Sequence, residues 1–148
     1  VRVIADSRWR TPADSRILAD PSAVILFGNA SVTIPDDLVA TGVRCQPVEA
    51  VDGKVALRAM LESLAGNEIN EVQVEAGAKL CGALLRDGLV DEILMYQAPI
   101  LMGDGAAGPF AFGPLESMSE RTHLTVLETV RVGQDIRIRL KPHNSRPE

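Results

Sequence analysis

The feature that most constrains this chain is the alternation of short apolar runs with a stretch of helical spacing. Residues 2–5 and 23–27 are apolar runs of strand length, which end at Asp-Ser and Gly-Asn respectively. Between residues 54 and 64 the apolar positions recur at i, i+3, i+4 and i+7, as Leu57, Met60, Leu61 and Leu64. That spacing is typical of an amphipathic helix. Strands that alternate with helices predict an α/β fold with a parallel sheet.

The rest of the chain first continues this pattern and then departs from it. Its further predicted elements are strands over 43–48, 71–75 and 93–97, a helix over 79–86 and a glycine-rich loop over 101–109. An antiparallel hairpin is predicted last, with strands over 124–132 and 136–141 around a Gly133-Gln134 turn. We therefore expect one α/β domain over residues 1–141, a mostly parallel sheet flanked by helices and finished by the hairpin. The polar stretch over 142–148 is expected to be a disordered tail.

Composition excludes several classes of protein. Of the 148 residues, 46% are hydrophobic, which is too many for a disordered chain. The net charge of −5 is opposite in sign to the basic excess of a nucleic-acid-binding protein. Its apolar runs are far shorter than the ~20 residues of a membrane span. The first residue is Val1 and no signal-peptide pattern follows it, so we expect the chain to be part of a longer protein.

Cysteine and histidine are too sparse for a disulfide framework or a metal site. Cys45 and Cys81 are far apart, lie in apolar surroundings and are interpreted as small structural hydrophobes. His123 and His143 have no partners at metal-ligand spacing. We expect no metal, and the cysteine usage favours a reducing compartment, the cytoplasm.

The stretch from Glu71 to Leu85 joins a predicted strand to a helix through Gly77. In α/β sheets, ligands bind at the carboxyl ends of strands, and the free N–H groups of a helix start suit a phosphate. The alternative is a tight turn in which Gly82 serves packing. Glu75 stands at the predicted strand end, where a sheltered carboxylate needs a hydrogen-bond partner. A ligand hydroxyl is one candidate, and an exposed loop glutamate is the other interpretation.

A second candidate site follows the first strand, at Asp6-Ser7-Arg8-Trp9-Arg10. A serine hydroxyl and two guanidinium groups suit a phosphate monoester, because arginine recognises phosphate through paired hydrogen bonds. An ordinary basic surface loop with a packed Trp9 is the simpler interpretation. The residues alone favour this second view.

Several segments together resemble one enzyme family. They are RVIADSRWRTP at 2–12, VEAGAKL at 74–80, GALL at 82–85, GLVDEI at 88–93, APILMG at 98–103 and VGQD at 132–135. In this order they resemble the reductase domain of bacterial riboflavin biosynthesis, the C-terminal half of a bifunctional deaminase–reductase. The resemblance implies a dihydrofolate-reductase-like fold and a cytoplasmic homodimer. It also implies NADPH-dependent reduction of the ribosyl group of 5-amino-6-(5-phosphoribosylamino)uracil to the ribityl chain.

The resemblance also implies roles for particular residues. Glu75 would be the catalytic and substrate-binding residue near the reacting sugar, and Ser7 with Arg10 would hold the 2′-phosphate of NADPH. The dinucleotide phosphates would be held by Gly77, Ala78, Lys79, Leu80, Cys81, Gly82 and Ala83. In these roles the protein supplies position and electrostatics, while the cofactor supplies the chemistry.

The sequence departs from the family pattern in two places. Lys79 stands where the family often has a small or hydroxyl residue, and it either contacts a phosphate or lies on the solvated helix face. The family's first strand, its proposed catalytic lysine and the zinc deaminase motifs have no counterpart here, so we expect these residues alone to be inactive and the full protein to carry the deaminase upstream. Two alternatives remain: a non-catalytic nucleotide-binding or oligomerisation module, and a dihydrofolate-type reductase with another substrate.

Overall fold

The computed structural model describes residues 1–143, and the chain divides into two compact units. The first unit is Val1–Val72 and the second begins at Gln73. The expectation of one domain over residues 1–141 stays a prediction. No glycine-, proline- or serine-rich stretch marks residues 70–75, next to the boundary between the two units.

The first unit contains a parallel sheet in the order β1-β2-β3. Its elements are β1 (Arg2–Ala5), β2 (Val24–Asn29), α1 (Asp36–Ala40), β3 (Arg44–Val48), β4 (Ala50–Val51), β5 (Lys54–Val55) and α2 (Leu57–Gly66), with 3-10 turns at Arg16–Leu18 and Pro21–Ala23. The three predicted strands and the parallel sheet are confirmed. The helix expected from residue 54 begins at Leu57, because Lys54 and Val55 pair with Val51 and Ala50 in an antiparallel hairpin.

Both faces of this sheet are covered, as expected for parallel strands. The residues of β2 alternate between the faces, and the side chains from Val24 to Phe27 are all buried. On one face the buried cluster is Trp9, Leu18, Val24, Leu26, Leu38 and Val43. On the other face it is Ile25, Phe27, Val55, Met60 and Leu64, so that the apolar stripe of α2 packs on the sheet as its spacing predicted.

The second unit contains one helix and an antiparallel sheet in the order β6-β8-β7. Its elements are α3 (Ala78–Arg86), β6 (Ile93–Gln97), β7 (Leu124–Val132) and β8 (Asp135–Pro142), with a 3-10 turn at Met118–Glu120. The predicted hairpin is confirmed, since Val132 pairs with Asp135 across the Gly133-Gln134 turn. Gly133 has a φ of +62°, a conformation that glycine adopts without steric cost.

Two predictions near the ends of this unit need correction. No strand forms over residues 71–75, and Val72 and Val74 are 37% and 44% exposed. Their alternation with polar residues is typical of a strand, but a strand also needs a hydrogen-bonded neighbour, and none of those between residues 1 and 143 pairs with this segment. The tail was expected from residue 142, yet β8 includes Pro142 and the His143 N–H donates to the His123 carbonyl. The remainder of the predicted tail lies outside the described residues.

Helices in the described part of the chain are too short, and not apolar enough, to cross a membrane.

Candidate functional site

The first group of candidate residues lies in the loop that follows β1, at the carboxyl edge of the parallel sheet. The Ser7 hydroxyl oxygen accepts the backbone N–H of Val55 at 2.9 Å. That bond joins the loop to the β4-β5 hairpin across 48 residues of sequence. Because the oxygen already accepts a hydrogen bond, the proton of the hydroxyl is free to be donated to an anion.

The same loop is held from within by Asp6. One oxygen of its carboxylate accepts the backbone N–H of Thr11 at 2.6 Å and the Thr11 hydroxyl at 2.8 Å. The other oxygen accepts the backbone N–H of Arg8 at 3.2 Å. A carboxylate acceptor makes these bonds stronger than bonds between neutral groups. Asp6 therefore closes the loop from its first residue to its last.

Trp9 anchors the middle of the loop in the protein interior. Its side chain is 2% exposed, and its indole N–H donates to the Val32 carbonyl at 3.0 Å. Its ring packs so closely on Gly28 that a Cβ at that position would overlap the indole carbons. The simpler interpretation of this loop expected a packed Trp9, and that expectation is correct. Arg8 and Arg10, on either side of Trp9, are exposed.

The second group of candidate residues surrounds the start of α3. Gly77 precedes the helix, with open space around its α-carbon, and its carbonyl accepts the N–H groups of Leu80 and Cys81. The N–H groups of Gly77, Ala78 and Lys79 have no backbone partner within residues 1–143. Free N–H groups at the start of a helix, together with its dipole, favour an anion.

Gly82 has a packing role in this helix. It is buried, and an added Cβ would lie 2.6 Å from the carbonyl oxygen of Ala111. The loop around Ala111 is held there because the Ala111 N–H donates to the Ala78 carbonyl at 2.9 Å. Only glycine allows so close an approach of helix and loop.

Glu75 is an exposed residue outside regular secondary structure. The sequence argument placed it at a sheltered strand end; that premise is wrong, because no strand forms here. Its Oε1 accepts the Gln73 side-chain amide at 2.8 Å, and the residue as a whole is exposed. The group is therefore accessible to a ligand hydroxyl without loss of an internal ion pair.

Neither cysteine shows the environment of a reactive thiol. Cys45 packs against the first core cluster, and burial raises the pKa of its thiol. Cys81 is half-buried in α3, with its sulfur 3.3 Å from the Ala76 carbonyl oxygen. Both observations agree with the structural role predicted for these residues.

The candidate residues thus form two groups, one in each unit. Ser7 and Arg10 lie in the first unit, whereas Glu75 and residues 77–83 lie in the second. Sequence reasoning missed Thr11 and Val55, which hold Asp6 and Ser7 in place. The signal for Thr11 was available, since an aspartate commonly accepts backbone N–H groups a few residues ahead. No local sequence signal for Val55 was available, because its contact with Ser7 spans 48 residues.

The chain has an α/β architecture with two groups of potential anion donors. Basic side chains follow the carboxyl end of a parallel strand, and free backbone amides lie at the start of a helix. These are features of phosphate- and nucleotide-binding α/β proteins. Comparison with family models gives the particular group: residues 1–138 match the RibD C-terminal domain, and the chain belongs to that family.

Individual relatives agree with this assignment. The chain is 30% identical over 150 residues to the riboflavin biosynthesis protein RibD of Bacillus amyloliquefaciens, with 99% of this chain and 40% of that protein covered. It is also 30% identical over 137 residues to the 2,5-diamino-6-ribosylamino-4(3H)-pyrimidinone 5′-phosphate reductase of Methanothermobacter thermautotrophicus, covering 92% of this chain and 63% of that protein. The chain therefore spans about two fifths of the first relative and under two thirds of the second.

A solved structure confirms the fold. Acinetobacter baumannii RibD superposes with a TM-score of 0.83 at 33% sequence identity, covering 96% of this chain and 37% of that one. The mixed α/β fold predicted from the sequence is the fold of this family.

Proposed function

We propose that this chain is the reductase part of an enzyme of riboflavin biosynthesis, which reduces the ribosyl group of 5-amino-6-(5-phosphoribosylamino)uracil to the ribityl chain with NADPH. The observation that carries the proposal is the family match over residues 1–138, which includes both groups of candidate residues. The named substrate of the Methanothermobacter relative supports it, because that compound also carries a phosphorylated ribosylamino group on a pyrimidine.

The residues present fit a phosphorylated dinucleotide. Within residues 1–143, neither Arg8 nor Arg10 forms an ion pair, so both guanidinium groups can bind an anion. In the proposal, Arg10 and the Ser7 hydroxyl hold the 2′-phosphate that distinguishes NADPH from NADH. Arginine suits this role because its planar group donates two hydrogen bonds to one phosphate.

The start of α3, in the second unit, fits a pyrophosphate group. The unpartnered N–H groups of Gly77, Ala78 and Lys79 are the donors, and the Lys79 ammonium adds a positive charge. Leu80, Cys81, Gly82 and Ala83 complete the predicted segment. Among them, Gly82 acts through packing, since its α-carbon faces the Ala111 backbone rather than solvent.

Glu75 is proposed to bind the substrate near its reacting sugar. Bound NADPH supplies the hydride, and the protein supplies position and charge. An ionised carboxylate accepts hydrogen bonds and donates none, so Glu75 orients a hydroxyl or amine of the opened sugar. The full enzyme is proposed to be a homodimer that carries a deaminase domain upstream of these residues.

The Glu75→Gln substitution tests this role in the protein at its natural full length. It keeps the shape of the side chain and removes its charge. We expect kcat to fall by about 10²-fold or more, the scale expected when a positioned catalytic-site group is lost, with NADPH affinity changed less than about twofold. Oxidation of NADPH in the presence of the pyrimidine gives kcat and KM. Glu71→Gln, in the same exposed segment, is the matched control and should behave as wild type.

Unchanged turnover of the Glu75→Gln variant would remove Glu75 from the site. Binding of NADPH without any turnover by the folded wild-type enzyme would instead favour a non-catalytic nucleotide-binding module.

A further inference from the structure

The loop Asp6–Thr11 is held by hydrogen bonds within itself and to the parallel sheet. Asp6 accepts three hydrogen bonds within the loop, two of them from Thr11. The loop is also fixed to the sheet, because the Asp6 N–H donates to the Phe27 carbonyl at 2.8 Å.

The backbone of Trp9 adopts a conformation that this residue type rarely prefers. Its φ of +54° lies in the left-handed region, which a bulky residue rarely adopts. Such a conformation persists only where the surroundings determine it. Here they are the indole bond to Val32, the packing on Gly28 and the Trp9 N–H bond to the Asp6 carbonyl at 3.1 Å.

The inward position of Trp9 determines the exposure of Arg8 and Arg10. Because Trp9 turns inward between them, both arginines are exposed, in the same loop as Ser7. Asp6 does not neutralise them, since its oxygens accept the backbone N–H groups of Arg8 and Thr11 rather than a guanidinium group. Among residues 1–143 these two guanidinium groups have no ion-pair partner, so the loop presents two unpaired cations and one hydroxyl donor.

We propose that Asp6 is a positioning residue that sets the preference for NADPH over NADH by fixing the loop that carries Arg8 and Arg10. The inference rests on the proposed function, because it takes the 2′-phosphate as the ligand of this loop. Asp6 itself does not contact the phosphate, because the two negative charges would repel each other. Asp6 acts by fixing the backbone of the loop before the cofactor binds, so that less conformational entropy is lost when the arginines bind the phosphate.

Asp6→Asn tests the proposal on this chain. Asparagine keeps the size of the side chain but replaces one acceptor oxygen with an NH2 group. It therefore loses either the bond from Arg8 or the two bonds from Thr11, and it removes the negative charge that strengthens the bonds that remain. We expect NADPH affinity, measured by calorimetric titration, to fall by about tenfold, and NADH affinity to change less than about twofold. Trp9 is the sole tryptophan of the chain, so its fluorescence reports directly on the state of the loop.

Two further variants separate positioning from general stability. Asp20→Asn is the matched control, because the Asp20 carboxylate accepts the Ser22 hydroxyl at 2.6 Å in another exposed turn of the same unit. It should leave both affinities unchanged. Thr11→Val removes only the 2.8 Å hydroxyl bond and should lower NADPH affinity partially, whereas Thr11→Ser should restore it. This pair decides the question even where Asp6→Asn does not fold.

Equal losses of NADPH and NADH affinity in the folded Asp6 variant, or none in either, would overturn the positioning role while leaving the proposed cofactor intact. A wild-type chain that binds NADH as tightly as NADPH would overturn the cofactor assignment, and the positioning role with it.

Discussion

At the scale of single residues, the contact between Gly28 and Trp9 explains why a glycine ends the buried part of β2. The side chain of Trp9 occupies the space that any larger residue at position 28 would need. The sequence indicated a strand end at Gly28 from its turn preference, but β2 continues to Asn29, and the glycine is required by a steric contact across 19 positions. Tertiary contacts of this kind have no local signature.

Gly28→Ala should destabilise the first unit by about 1–3 kcal/mol, the usual cost of an extra methyl group in a packed core. Denaturation followed by Trp9 fluorescence reports this unit specifically. Gly66→Ala is the control, since nothing lies within 4 Å of a Cβ there and Gly66 is the last residue of α2. It should be neutral or stabilising by up to about 1 kcal/mol. Equal stability of the two variants would contradict the packing of Trp9 on Gly28.

At the scale of elements, those that are fixed by local sequence were predicted well. The β7-β8 hairpin carries its own turn signal in Gly133, and the apolar stripe of α2 defines its buried face. The segment 71–75 was predicted wrongly, because alternation specifies a strand's faces but not its hydrogen-bonded partner. For the same reason, the candidate residues could be named from the sequence while the bonds that hold Ser7 and Asp6 could not.

Gly133→Val tests the hairpin turn. A β-branched residue at a φ of +62° is strained, and we expect a cost of about 1–3 kcal/mol. Amide hydrogen exchange along β7 and β8 should quicken accordingly. Gln134→Val, at the neighbouring turn position, is the control and should exchange nearly as wild type. Unchanged protection in the Gly133 variant would mean that this turn does not determine the hairpin.

At the scale of the whole molecule, the two units differ in how they bury apolar groups. Within residues 1–143, both packed core clusters belong to the first unit. In the second unit all nine residues of β7 are exposed, as are Leu94 and Tyr96 of β6. Register places Tyr96, Arg137 and Val130 in one row across the sheet. Exposed apolar side chains in this number are typical of an interaction surface, in agreement with the proposed homodimer.

Val130→Lys should therefore shift the protein from dimer to monomer in sedimentation velocity, because a charge in an apolar interface is costly. Val39→Lys, at a 57% exposed position of α1, is the control and should leave the sedimentation coefficient unchanged. A monomeric wild-type protein at the concentrations used for activity would contradict the proposed homodimer.

The most direct test of the proposed function is the rate of NADPH oxidation by the wild-type protein, at its natural full length, with 5-amino-6-(5-phosphoribosylamino)uracil as substrate. Absorbance of the reduced nicotinamide measures it. We expect oxidation that requires the pyrimidine, yields its ribityl product and proceeds with a higher kcat/KM for NADPH than for NADH. A folded protein that oxidises neither cofactor in the presence of this pyrimidine would contradict the proposal.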